Sequence, residues 1–274
     1  MQLEGKVAVV TGGGGGIGAA IASALVGLRA RVVITDIDRS AVEAVAERIE
    51  RTAPGSVVAA CGDASAADHI DDVVALAAQH FGPVDLYFAN AGIGGAPGLF
   101  ATDADWDTVI GVNLMGHVRA ARRLVPEWLE RDGGYFVSTA SAAGLLTQLG
   151  SATYSVTKHA AVGFAEWLSA TYGDRGVRVS CLCPMGVDTK LLRPEGGPTD
   201  AAGRLMQRAV ETAGRVLTPD EVAEVVLAAV DDEHFLILPH PEVLDMYRQK
   251  GADYDRWLRG MRRYQRTLEG AEQN

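Results

Sequence analysis

Tyr154 and Lys158 stand four residues apart in the run Tyr154-Ser155-Val156-Thr157-Lys158. On a helix that spacing puts both side chains on one face, one turn apart. A phenol with its ordinary pKa near ~10 is a poor base at neutral pH. An ammonium beside it favours the phenolate and lowers that pKa. Such a pair can take a proton from an alcohol, or return one to a carbonyl oxygen. A surface helix can carry the same spacing by accident, so the pair by itself does not fix a function.

A second group of residues handles anions. Thr11-Gly12-Gly13-Gly14-Gly15-Gly16-Ile17-Gly18 follows a short apolar run and opens a helical pattern. Glycine lets a backbone approach a pyrophosphate without a Cβ in the way. A helix N-terminus offers unpaired N–H groups and the positive end of its dipole. Two registers fit, Gly12/Gly16/Gly18 or Gly13/Gly15/Gly18, and both read as a dinucleotide loop between the first strand and first helix. Asp36 ends the second apolar run, 18 residues past Gly18, near the ~20 expected of an acid that bonds the adenosine ribose. Its carboxylate accepts from the ribose hydroxyls and repels a 2′-phosphate. Ile37 follows it, and Arg39 is the nearby cation that could argue for NADP. NAD is therefore expected, with a turn or N-cap role for Asp36 as the bland alternative.

The elements that must position these groups follow from periodicity. Strands are expected at 7–10, 32–35, 56–60, 86–89, 135–138, 178–181 and 235–238, several of them continuously apolar, as in a parallel sheet covered on both faces. Helical patterns at 17–28, 41–51 and 66–80 lie between them. The alternation predicts an α/β fold with one Rossmann-type doubly wound parallel sheet of about seven strands, helices on both faces and a C-terminal helical extension. Residues 1–240 form the catalytic domain, with the tail 241–274 part of it. The stretch 186–215, rich in Gly and Pro, reads as a long irregular connection that could serve as a substrate lid. The tail carries Met246, Tyr247, Tyr254, Trp257, Met261 and Tyr264. It reads either as a helix packed on its own domain or as a subunit contact or active-site cover.

Composition narrows the classes. The 274 residues carry a net charge of -10, which disfavours nucleic acid and anionic membranes as partners. The 32 glycines are well above the usual ~7 %. Cys61, Cys181 and Cys183 form no CxxC and no zinc pattern; they read as buried thiols of a protein in a reducing cytoplasm. No apolar run approaches the ~18 residues of a membrane span. His234 and His240 lack companion ligands, so no metal is expected and solvent-facing histidines are the default.

The Thr-Gly-x-x-x-Gly-Ile-Gly loop, Asn90-Ala91-Gly92, Asn113, Ser141 thirteen residues before Tyr154, and Tyr-x-x-x-Lys together resemble the short-chain dehydrogenase/reductase family over about residues 3–238. The resemblance implies that Tyr154 is the general base in oxidation and acid in reduction. Lys158 bonds the nicotinamide ribose and holds Tyr154 at low pKa. Ser141, with Ser138 as rival, bonds the reacting oxygen, and Asn113 keeps a water in a proton relay. It further implies cofactor contacts from Gly12, Gly16, Ile17, Gly18, Asp36, Ile37, Asp63, Ala64, Asn90, Ala91, Gly92, Tyr154 and Lys158, and from Pro184, Gly186, Val187 and Thr189. Met185 departs from the family pattern, which has glycine there. A homotetramer or homodimer through the long fourth and sixth helices is also implied, and Ala160–Leu168 offers an Ala-rich face.

Candidate pocket residues are Ile93, Gly94, Leu145, Leu146, Leu149, Met185, Leu191 and Leu192. Most are apolar, and only Lys190 or Arg193 could clamp an anion. The expected reaction is hydride transfer between NAD and a secondary alcohol or ketone, on a bulky alicyclic, steroid, terpenoid or aryl substrate. Two alternatives stay open: an NADPH-dependent ketoreductase, and a catalytically silent NAD(H)-binding sensor or scaffold.

Overall fold

The computed structural model describes residues 1–270 apart from 96, 97, 132, 195 and 199; the last four residues of the tail lie outside it. Seven strands form one parallel sheet: β1 (Val7–Thr11), β2 (Arg31–Asp36), β3 (Val57–Cys61), β4 (Leu86–Ala89), β5 (Gly134–Thr139), β6 (Val177–Leu182) and β7 (Leu236–Ile237). Their order is β3-β2-β1-β4-β5-β6-β7. The order reverses between β1 and β4, and a crevice opens there at the carboxyl ends of the strands.

Successive strand residues face opposite sides, so each strand feeds two cores. Val10, Ile34, Phe88 and Val137 pack under α1 (Gly16–Gly27), α2 (Arg39–Thr52) and α8 (Pro219–Asp231). Val9, Val33, Tyr87 and Phe136 pack under α3 (Ala67–His80), α5 (Gly116–Glu130) and α6 (Ala152–Tyr172). Burial on both faces explains the continuous apolar runs. α4 (Asp103–Ile110) passes into α5 through a π-helical turn, Gly111–Met115.

Two expectations about the second half need correction. Residues 186–215 are not wholly irregular: α7 (Ala201–Ala213) occupies nearly half of them. Asp200 caps it by accepting from the Gly203 N–H at 2.8 Å. Leu205, Met206, Ala209 and Val210 repeat at helical spacing, but Gly203 and the glycines and prolines before it hid the pattern. The tail is two helices, α9 (Glu242–Ala252) and α10 (Tyr254–Gly270), broken at Asp253, which is extended and whose Oδ1 accepts from the Arg256 N–H. α10 packs on α7 and α9.

Candidate active site

The glycine loop lies at the head of α1 beside the end of β2. Gly18 is held by close packing: a Cβ there would stand 2.2 Å from the Gly12 carbonyl oxygen and 2.7 Å from Asn90 Nδ2. Gly16 has φ +50°, and its Cβ would stand 2.9 Å from Thr189 Cγ2. The loop after β6 therefore closes directly on the glycines. α1 has neither an acidic residue in its first turn nor a side-chain cap, so its leading N–H groups remain available to an anion. Nothing lies within 4 Å of a Cβ placed on Gly15, which faces the open cavity. Asp36 Oδ2 accepts from the Gly14 N–H at 3.0 Å and Oδ1 from the Asp38 N–H at 3.1 Å. Each oxygen keeps a lone pair for a further donor. This combination fits an adenine dinucleotide: an anion cradle at the glycines and a hydroxyl acceptor at the end of β2.

Asn90 binds the strand ends together. Its Nδ2 donates to the Thr11 carbonyl at 3.0 Å, and its Oδ1 accepts from Thr139 Oγ1 at 3.3 Å. At the end of β5, Ser141 Oγ accepts from the Ala143 N–H at 3.1 Å, which fixes the turn Ala142–Gly144. Ser151 caps α6 by accepting from the Tyr154 N–H. Tyr154 and Lys158 are both buried on the face of α6 that meets this turn. Lys158 Nζ donates to the Thr139 carbonyl at 3.0 Å and lies 5.6 Å from the centre of the Tyr154 ring.

Burial raises the Tyr154 phenol above its ordinary value, and the hydrogen bond with Ser141 draws it partly back. Lys158 is itself pushed down to about 8 by burial. Its ammonium is directed at the Thr139 carbonyl rather than at the phenol oxygen. Asn113 is fully buried in the π-helical turn. Its Oδ1 accepts from the Ile93 N–H at 2.9 Å, and its Nδ2 donates to the Ile93 carbonyl and to Thr157 Oγ1. A Cβ on Gly92 would stand 3.3 Å from both Asn113 Oδ1 and Lys158 Nζ, so both side chains pack closely against the Gly92 backbone.

All of this opens into one cavity of about 1540 Å³. The glycine loop and Asp36 line one part of it. Ser141, Tyr154, Lys158 and Met185 line another, and α7, α9 and α10 close the rest. Met185 stands there because His240 holds its backbone. Nδ1 accepts from the Met185 N–H at 3.2 Å, which leaves Nε2–H to donate to the Arg215 carbonyl at 3.0 Å. His240 is thus buried rather than solvent-facing, and both ring nitrogens are satisfied by backbone groups.

A family model described as short chain dehydrogenase matches residues 6–197. The chain belongs to the short-chain dehydrogenase family. The chain is 34% identical over 239 residues to 2-(S)-hydroxypropyl-CoM dehydrogenase 3 of Xanthobacter autotrophicus, covering 85% of the chain and 92% of that protein. It is 32% identical to (+)-borneol dehydrogenase 1 of Salvia officinalis, covering 85% and 89%. A short-chain dehydrogenase/reductase from Burkholderia phymatum, crystallised in complex with NAD, superposes with a TM-score of 0.84 at 34% identity, covering 93% and 96%. The protein is therefore an oxidoreductase of a family that binds nicotinamide cofactors, with alcohol dehydrogenases among its relatives.

Of the residues singled out in the sequence, the fold brings Gly12, Gly16, Ile17, Asp36, Asn90, Ala91, Gly92, Ser141, Tyr154, Lys158, Pro184, Val187 and Thr189 to the cavity wall, with Gly94, Leu146, Leu149, Met185, Leu191 and Leu192. Gly18, Asn113 and Gly186 stand behind that wall. Exposed Ile37 and Asp63, with Ala64, lie off the lining beyond the ends of β2 and β3. Two pocket candidates fall elsewhere. Leu145 is buried in the core beneath α6, and Ile93 lines a separate small cleft with Asp105, Thr108 and Val109. Ser138, the rival to Ser141, is buried against His117, 2.9 Å from its Nδ1.

Sequence reasoning missed His117, which burial, and next the nearby charge of Lys158, push down to about 3. Nothing in the sequence marked it beyond its place four residues after Asn113. It also missed the carbonyl of Thr139, since backbone acceptors carry no residue signature. Arg193, considered as an anion clamp, is committed to Asp188 and Glu211. Cys181 and Cys183 are buried, whereas Cys61 is half-buried.

Proposed function

We propose that this dehydrogenase interconverts a secondary alcohol and a ketone with NAD, on a substrate with a bulky apolar body. One observation carries the reading: Ser141, Tyr154 and Lys158 face the same cavity as the glycine loop and Asp36. NAD, when bound, supplies the hydride acceptor. In oxidation, Tyr154 Oη takes the hydroxyl proton; in reduction it returns it. Ser141 donates to the reacting oxygen and stabilises the charge that develops there. Lys158 contributes its positive charge while protonated, and Asn113 holds the 93 loop against α6. Asp36 supports NAD over NADP. Arg39, the cation a 2′-phosphate would need, is paired with Glu43. The apolar body is supported by Leu146, Leu149, Met185, Leu191, Leu192, Met206 and Trp257 in the wall.

Tyr154→Phe is expected to abolish nearly all NADH formation across a panel of secondary alcohols while NADH binding, read by fluorescence, persists. Near-normal turnover in that variant refutes the base, and a higher kcat/KM with NADP than with NAD refutes the cofactor reading. A silent sensor predicts no turnover from the parent chain. We further propose residues 1–240 and the tail as one domain with 186–215 as its lid, and a homodimer or homotetramer in which α6, with Val156 and Trp167 exposed, contributes the contact. A reducing cytoplasm is the compartment that fits three cysteines with no disulfide pattern in the sequence. Among the described residues no helix is long and apolar enough to cross a membrane.

A further inference from the structure

We infer that the substrate of the reaction proposed above carries an oxyanion, such as a carboxylate, which Arg256 and Arg263 receive at the outer end of the cavity. The inference rests on that reading of the site and adds to it. Along α10, the residues at 256, 257, 260, 261, 263 and 264 line the cavity, the spacing of one broad helix face. Trp257, Met261 and Tyr264 supply its apolar part, and Arg256 and Arg263 flank them. Tyr264 pins this face in place: its hydroxyl donates to the Ala209 carbonyl at 2.9 Å and lies 2.6 Å from Thr212 Oγ1 on α7. The tail therefore covers the cavity of its own chain.

Among the arginines of α10, Arg256 and Arg263 are the two on the cavity wall. Among the described residues neither guanidinium has an ion-pair partner, whereas Arg193, Arg215 and Arg248 nearby are each paired with a carboxylate. The acids that share the cavity wall are committed elsewhere. Asp36 and Asp38 accept backbone N–H groups at the cofactor end, and Asp200 and Asp253 accept from the first turns of α7 and α10. The charge distribution points the same way. The chain carries a net charge of -10, yet α10 holds five arginines against Asp255 and Glu269. A positive helix across the mouth of an apolar cavity, on an otherwise acidic molecule, draws an anionic substrate inward. The planar guanidinium fork matches an oxyanion. An apolar body ending in such a group would then set its hydroxyl carbon at Tyr154 and its charge at the tail.

The test compares the carboxylate of a para-substituted phenyl methyl carbinol, and of its biphenyl homologue, each with the corresponding primary amide. The better-fitting carboxylate is expected to exceed its amide in kcat/KM on the order of tenfold, the worth of one charge-assisted contact. That ratio should shrink with added salt. In the double variant Arg256→Gln/Arg263→Gln the ratio should fall to near one, through KM of the carboxylate rather than its kcat. Arg259→Gln, on α10 but off the cavity face, should keep the parent ratio. A parent enzyme that prefers the amides, or a double variant that keeps the ratio, overturns the inference and leaves the dehydrogenase reading standing. Absence of NADH formation with every alcohol, charged or neutral, refutes both.

Discussion

His117 places a titratable ring where it cannot take a proton without loss of stability. It is 2 % exposed, its Nδ1 is engaged with Ser138 Oγ, and burial and then the charge of Lys158 push it down to about 3 from the ordinary 6.5. The unfolded chain protonates this histidine below pH 6.5, whereas the folded chain stays neutral until about pH 3. The unfolded state thus binds more protons in that window, and stability falls as pH falls. Each pH unit is worth ~1.4 kcal/mol, so the fold should lose about 3 kcal/mol through this one group by about pH 4. His117→Asn removes the titration and keeps an amide near the Nδ1 position for Ser138. It leaves a small cavity that costs roughly 1–2 kcal/mol at neutral pH. Urea unfolding of parent and variant, at fixed protein concentration and several pH values, separates the two effects. Carboxylates titrate alike in both proteins and cancel in the difference. The variant should be the less stable protein at pH 7 and the more stable at about pH 4, since ~3 kcal/mol exceeds the cavity cost. Parallel pH profiles would refute a buried neutral His117.

Two further perturbations probe the glycine loop and Lys158. Gly18→Ala sets a Cβ 2.2 Å from the Gly12 carbonyl oxygen and should lower the urea midpoint together with NADH affinity, at a cost of roughly 1–3 kcal/mol. Gly15→Ala meets no atom within 4 Å and should weaken NADH binding alone; equal stability losses in the two variants contradict the cradle. Lys158, pushed down to about 8, is charged below that pH and neutral above it, while Tyr154, raised by burial, remains a proton donor. The kcat/KM for ketone reduction should hold a plateau below about pH 8 and fall above it; a kcat/KM that climbs through pH 8 rejects the assignment.

The sheet was legible because its strands are covered on both faces. Val7–Thr11, Arg31–Asp36 and Gly134–Thr139 are buried nearly throughout, and such runs admit few other structures. The candidate site residues were legible through local spacing: one helical turn joins Tyr154 to Lys158, and one loop joins β1 to α1. α7 was hidden because Gly203 and the glycines and prolines before it mask a face of Leu205, Met206, Ala209 and Val210 that repeats at helical spacing. His240 differs in that its signal is tertiary. A single histidine announces neither burial nor the Met185 N–H and Arg215 carbonyl that it bridges.

The sequence by itself determined the alternation of strand and helix, the anion loop, the acid at the end of β2 and the Tyr–Lys–Ser set, because each depends on residues near one another in the chain or on a period of two or 3.6. Only the tertiary structure decided what surrounds them. It turned Lys158 toward the Thr139 carbonyl and buried Tyr154 enough to raise its pKa. It also folded a tail that begins some 84 residues after Lys158 back over the cavity, with two unpaired arginines at the rim. Dielectric and proximity are properties of packed space, and neither is encoded at any one position of the chain.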